Sequence, residues 1–66
     1  MKNNLRVQRA IMNITQAELA NLIKVSRQTI NSIEAGKYVP STVLALKLAK
    51  LFAKPVEEIF DLEDED

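Results

Sequence analysis

Between Thr15 and Lys37 the sequence TQAELANLIKVSRQTINSIEAGK leaves room for little but two short helices set across a tight turn. Thr15-Gln16-Ala17-Glu18 is a capping box, in which the Thr hydroxyl holds a backbone amide and the Glu carboxylate reaches back to the cap. Leu19, Leu22 and Ile23 supply the buried face of the first helix, and Ala20 is small where another helix must pass closely. The turn falls at Lys24-Val25. Ser26 caps the second helix, Arg27 to about Ala35, with Ile30 and Ile33 inside and Gly36 as its stop. The pair of helices spans residues 15–35.

The remainder reads as scaffold for that pair. Asn3 or Asn4 caps a first helix to about Met12, with Leu5, Arg9 and Met12 in one stripe and Asn13 as a left-handed stop. Ile14 is an apolar staple ahead of the next helix. Pro40 holds Val39 extended, so residues 37–40 are a loop. Ser41 caps a long helix to about Phe52, striped by Leu44, Leu48, Leu51 and Phe52, with Ala45 and Ala49 at close contacts. Pro55 opens a last short helix, Val56 to about Phe60. Sixty-six residues with one Gly and two Pro make one all-α domain, residues 1–66. A core this small usually needs a staple. With no Cys and no His, disulfides and Cys/His zinc sites are excluded, which leaves regular packing, oligomerisation or both.

The net charge of zero hides a division. Residues 1–56 carry all nine Lys and Arg against Glu18 and Glu34, while residues 57–66 carry seven acids and no base. A basic body suits phosphate. The acidic tail, residues 63–66, reads as a solvated end. No stretch is long and apolar enough for a membrane span or a signal peptide, so the expected address is the cytoplasm, and the sequon at Asn13 is taken as chance.

Arg27, Gln28, Asn31 and Ser32 project away from Ile30 and Ile33. Any amphipathic helix has a polar outer face. Here, however, the face carries no Glu or Lys before Glu34, as an ordinary solvated face would. Arg can bond guanine O6 and N7 bidentately, and Gln or Asn can do the same to adenine N6 and N7. All four residues lie in the first two turns, the part of a recognition helix that meets base edges in the major groove. Gln16 and Ser26 open helices whose free amides and dipoles favour phosphate. Lys37 can add charge, Lys24 reads as a solvated surface residue, and Tyr38 either reaches a phosphate or packs its ring. Arg9, in a core stripe, needs a buried anion. Before residue 57 only Glu18 and Glu34 are acidic, and Glu18 is engaged in the capping box, so a structural Arg9–Glu34 salt bridge is expected.

With these pieces the chain resembles the Cro/CI-type (XRE) helix-turn-helix regulators of phages and bacteria. The resemblance rests on Arg9, Thr15 to Ala20, Val25-Ser26, Thr29-Ile30, Ile33 to Lys37, Pro40-Ser41 and Pro55 to Phe60, and covers roughly residues 5–60. In length and ending the chain is similar to short stand-alone repressors of the cytolysin-operon repressor type. The resemblance implies a five-helix, lambda-repressor-like bundle. It implies DNA contacts at Gln16, Arg27 and Gln28, with Ser26, Asn31 and Ser32 nearby; Thr29, Lys37 and Tyr38 complete the expected DNA-facing set. It also implies a homodimeric repressor on a palindromic operator. Lys24 and Ala53 stand where that family usually has Gly, or Gly or Asn, and Gln8 where it commonly has an aliphatic residue.

Two copies about 34 Å apart normally supply specific affinity. Val56, Ile59, Phe60 and Leu62 are the expected dimer interface, within a segment of about residues 55–63 that can run beside Met1–Asn3 as a short β pair; Val7 and Ile11 form a second apolar stripe. The competing reading is an antitoxin or other protein-interaction partner using the same fold. No catalytic constellation is present, no cofactor, metal or small-molecule ligand is expected, and an enzyme is not anticipated.

Overall fold

The computed structural model describes all 66 residues. In order they form β1 (Lys2–Asn3), α1 (Leu5–Met12), α2 (Gln16–Ile23), α3 (Arg27–Glu34), α4 (Thr42–Phe52), a 3-10 turn (Val56–Glu58) and β2 (Phe60–Asp61). β1 and β2 are antiparallel, with Lys2 opposite Asp61 and Asn3 opposite Phe60.

Side-chain chemistry places the helix starts. Thr15 Oγ1 accepts from the Glu18 amide at 3.1 Å, and the Thr15 amide donates to Glu18 Oε1 at 2.9 Å. Ser26 Oγ accepts from the Thr29 amide and Ser41 Oγ from the Leu44 amide, at 3.1 and 3.2 Å. Each such cap stabilises its helix by about 1 kcal/mol. α1 departs from this pattern. Asn4 occupies the cap position but its side chain donates to the Glu58 carbonyl, while Asn3 Oδ1 accepts from the Leu5 amide.

All four helices stop on a left-handed residue: Asn13, Lys24, Gly36 and Ala53. At each stop the residue after it donates back to the carbonyl five positions earlier, for example Val25 to Ala20 at 3.0 Å and Lys54 to Ala49 at 3.1 Å. This Schellman closure satisfies carbonyls that the helix end leaves free. Only Gly36 adopts the conformation without a Cβ penalty. At Ala53 (φ +54°) the strain is of order 1–2 kcal/mol, partly offset by the smaller entropy that Ala loses on folding. Ala53→Gly is therefore expected to raise stability by roughly 0.5–1 kcal/mol in urea unfolding; a lower midpoint would show that the turn is not strained.

The core unites Leu5, Leu19, Ala20, Ile23, Ile30, Ile33, Leu44, Leu48, Phe52, Ile59 and Phe60. Every element except the 3-10 turn contributes a buried residue or pairs with one that does. Two side chains differ from the sequence reading: Met12 and Leu22 are exposed. Gln8, at the position where the family commonly has an aliphatic residue, is buried. The inner stripe of α1 is Leu5, Gln8 and Arg9, one turn closer together than Leu5, Arg9 and Met12, because α1 ends just past the edge of the core. α2 turns Leu19, Ala20 and Ile23 inward, which leaves Leu22 at the rim beside Lys47, Lys50 and Leu51 of α4.

The fifth helix is the larger correction. Residues 56–58 form a single 3-10 turn, closed by the Glu58 amide on the Pro55 carbonyl and the Ile59 amide on the Val56 carbonyl. The chain then straightens, because the Ile59 carbonyl accepts from the Asn4 amide at 3.0 Å and Phe60 pairs with Asn3. An α-helix through Phe60 would forfeit that pairing. The result is four helices closed by a two-stranded clasp.

Candidate nucleic-acid interface

α2 and α3 are held at their crossing by the apolar contact of Leu19, Ala20 and Ile23 with Ile30 and Ile33. With the isoleucines fully inward, Arg27, Gln28 and Asn31 are exposed on the opposite face of α3, while Thr29 and Ser32 are half-buried at its edges. Gln16, at the first position of α2, joins Arg27, Gln28 and Asn31 around one depression lined by polar residues alone. A second depression lies on the other side of Gln28, lined by Ser26, Gln28, Thr29, Ser32, Lys37 and Tyr38. The nine expected DNA-facing residues therefore make one continuous surface that crosses α3 from the start of α2 to the loop after Gly36. Tyr38 keeps nearly half its surface open, as a wall of that surface rather than a core side chain.

Their bonding states differ. Ser26 and Thr29 share a hydroxyl–hydroxyl bond at 2.9 Å while Ser26 caps α3, so both are committed locally. Arg27 and Lys37 have no carboxylate within ion-pair distance; the ion pairs of the chain involve only Arg6, Arg9 and the N-terminal amine. An unpaired guanidinium at the start of α3 carries five donors in a planar fork, suited to a guanine edge or a phosphate.

Behind this surface lies the buried charge. Arg9 Nε donates to Glu34 Oε2 at 2.6 Å and Arg9 Nη2 to Glu34 Oε1 at 3.1 Å, a two-point fork. Arg9 Nη1 donates to the Ile14 carbonyl at 3.1 Å. The side chains of Arg9 and Glu34 are 15% and 1% exposed. The sequence did not reveal that Gln16 belongs to this group. Its Nε2 donates to Glu34 Oε1 at 3.0 Å and lies 3.4 Å from Asn31 Oδ1. The available signal was acceptor capacity: an ionised carboxylate has about four lone-pair sites, and Arg9 fills two. Gln16 thus touches the buried pair with its amide nitrogen and the polar depression with the rest of its side chain.

Burial pushes the Glu34 carboxyl up, but hydrogen bonds from Arg9 and Gln16 and the charge of Arg9 outweigh it and hold the group below its ordinary value of 4.5. Arg9 is raised by its bond to Glu34. A depressed carboxyl contributes stability that is fully present above the unfolded pKa and is lost as pH falls through the folded one. Unfolding midpoints in urea are therefore expected to hold from neutral pH to about 4.5 and to fall below it. Glu34→Gln should flatten that acid-side slope; an unchanged slope would assign it to other carboxyls.

A polar helix face presented across a tight turn, on a scaffold whose one buried charge pair braces it, is the arrangement of a DNA-reading helix-turn-helix. A Helix-turn-helix family model matches residues 5–59. The chain is 53% identical to an uncharacterized HTH-type transcriptional regulator, MJ0272, of Methanocaldococcus jannaschii, over the full length of both chains. It is 44% identical, again over both full lengths, to the uncharacterized HTH-type transcriptional regulator YgzD of Bacillus subtilis. A further regulator so described, from Archaeoglobus fulgidus, is 42% identical over all of this chain and 93% of its own. The chain belongs to the XRE-type helix-turn-helix family of transcriptional regulators, a family of DNA-binding proteins and not of enzymes. No helix is long and apolar enough to cross a membrane.

Proposed function

We propose that this chain acts as a homodimeric repressor that reads a palindromic operator through the major groove. The observation that carries the reading is the surface of α3. Arg27, Gln28 and Asn31 are exposed, lie side by side with Gln16, and have the donor and acceptor types that distinguish base pairs. Lys37 and the open amides at the start of α3 supply phosphate contacts around them. One α3 reads a few base pairs, too few for selective occupancy, so a second copy about one helical turn away completes the site. Repression needs only occupancy of a promoter, which a DNA-reading domain can supply.

The test is a binding titration against DNA from upstream of the protein's own gene, with scrambled DNA of equal length as reference, at two salt concentrations. Selective binding with a steep salt slope and a symmetric footprint is the expected result. Equal affinity for both DNAs would defeat the reading for that operator, and an asymmetric footprint covering one half-site would defeat the dimer.

A further inference from the structure

We propose that Glu34 is a positioning residue for base recognition: its buried carboxylate fixes which way the Gln16 and Asn31 amides point, so that Asn31 meets the operator as a hydrogen-bond donor alone. This deepens the DNA-reading role of α3, on which it rests, by saying what one of its side chains selects.

The Glu34 side chain is 1% exposed, and its carboxyl, held below 4.5, is ionised at neutral pH. An ionised carboxylate only accepts hydrogen bonds. Oε2 accepts from Arg9 Nε at 2.6 Å, and Oε1 accepts from Arg9 Nη2 at 3.1 Å and from Gln16 Nε2 at 3.0 Å. Only a donor can take that last place. The Gln16 amide is therefore held with its nitrogen toward Glu34. Turned over, it would set its carbonyl oxygen against a carboxylate. The orientation then passes to α3. Gln16 Nε2 also donates to Asn31 Oδ1, in a long bond of 3.4 Å. Asn31 and Glu34 stand one turn apart on α3, and Gln16, in the first turn of α2, spans them. A nitrogen that donates to both residues requires Asn31 to turn its oxygen, not its nitrogen, inward.

The reading surface thus acquires a fixed sense. Gln16 keeps Oε1 as its free acceptor, and it has no N–H left for a phosphate unless one of these bonds is released. Asn31 keeps Nδ2 as its free donor. An untethered Asn pairs with adenine through both atoms, giving Nδ2–H to N7 and taking N6–H on Oδ1. With Oδ1 drawn toward Gln16, Asn31 offers donors alone. The base edge that suits donors alone is guanine, whose N7 and O6 both accept. Gln28, exposed and outside this chain of bonds, keeps both orientations.

Two measurements test this. In the free protein at neutral pH, NMR compares hydrogen exchange of the side-chain amides of Gln16 and Gln28. The expected result is exchange slower at Gln16 by about tenfold or more; equal rates would overturn the proposal whatever the protein does on DNA. On DNA, the parent, Gln16→Met, Asn31→Ala and their double variant are titrated against the operator and its single-base changes. Asn31→Ala should remove a preference for guanine at one position. Gln16→Met, which keeps the length of the side chain without its amide, should weaken guanine over adenine at that same position by about fivefold or more. The double variant should lose no more there than Asn31→Ala alone. Glu34→Gln, whose neutral amide can face Gln16 either way, should reproduce the Gln16→Met loss, with circular dichroism to verify its fold. Uniform weakening over all sequences by Gln16→Met, a parent preference for adenine at the Asn31 position, or a folded Glu34→Gln that keeps the full guanine preference would each overturn the proposal while leaving the DNA reading in place. A parent with no base preference at any position would overturn the DNA reading itself and this inference with it.

Discussion

Replacing Arg9 by Ala is expected to lower stability by about 3–5 kcal/mol, because it strands a carboxylate inside the protein. The Glu34 side chain is 1% exposed and receives two of its hydrogen bonds from the Arg9 guanidinium. Gln16 cannot neutralise it, and Arg6 approaches no nearer than 3.7 Å with a largely solvated side chain. A domain of this size rarely holds more than about 3–5 kcal/mol in total, so Arg9→Ala should be largely unfolded at 25 °C by circular dichroism. The pair itself need not be strongly stabilising. Two charges give up hydration to meet, and an apolar pair of similar volume can be equally stable. Arg9→Met combined with Glu34→Leu should therefore recover much of what Arg9→Ala loses. If the double variant is as unstable as the single one, the pair contributes attraction beyond avoiding a stranded charge.

Arg27→Ala should leave the fold intact and cost about 1–3 kcal/mol of discrimination at one operator position. Arg27 is exposed, bonded to no acid, and outside the core, so nothing in the domain depends on it. Titrating the variant against the operator and its single-base changes separates two roles. Contact with a base edge predicts lost preference at one position and an unchanged salt slope. Contact with phosphate alone predicts uniform weakening over all sequences and a slope smaller by about one. Unfolding of the variant would mean that the outer and inner faces of α3 are assigned wrongly.

How much of this was legible in the sequence depends on whether a residue's role is local or tertiary. The caps at Thr15, Ser26 and Ser41 and the stops at Asn13 and Gly36 follow from short-range chemistry and can be read directly. The partner of Arg9 could be found by elimination, because the body holds only two acids. The second bond of Glu34, to Gln16, was not legible, since it depends on how α2 and α3 cross. At the end of the chain residue type leaves the role open for a related reason. Val56, Ile59, Phe60 and Leu62 are apolar whether they serve a core or an interface, and residue type does not distinguish the two uses. Burial does: Phe60 is 7% exposed, so Phe60→Asp would unfold the chain rather than separate two copies. The same limit applies to Leu22 and Met12, which fit a helical stripe and yet face solvent.

The clasp at the ends of the chain bears on how far this protein can be cut down. The helix pair proposed to face DNA occupies residues 15–35, about a third of the sequence, and an engineer wanting a minimal reading head would trim to it. Yet Leu5, Ile59 and Phe60 lie in the same core as Ile30 and Ile33, and Asn3 donates from its side chain to the Ile33 carbonyl at 2.8 Å. The first and last strands thus close over the base of α3 itself. Shortening past the first or the last strand uncovers the floor on which the reading helix rests, so in this chain the reader and its support are one indivisible unit.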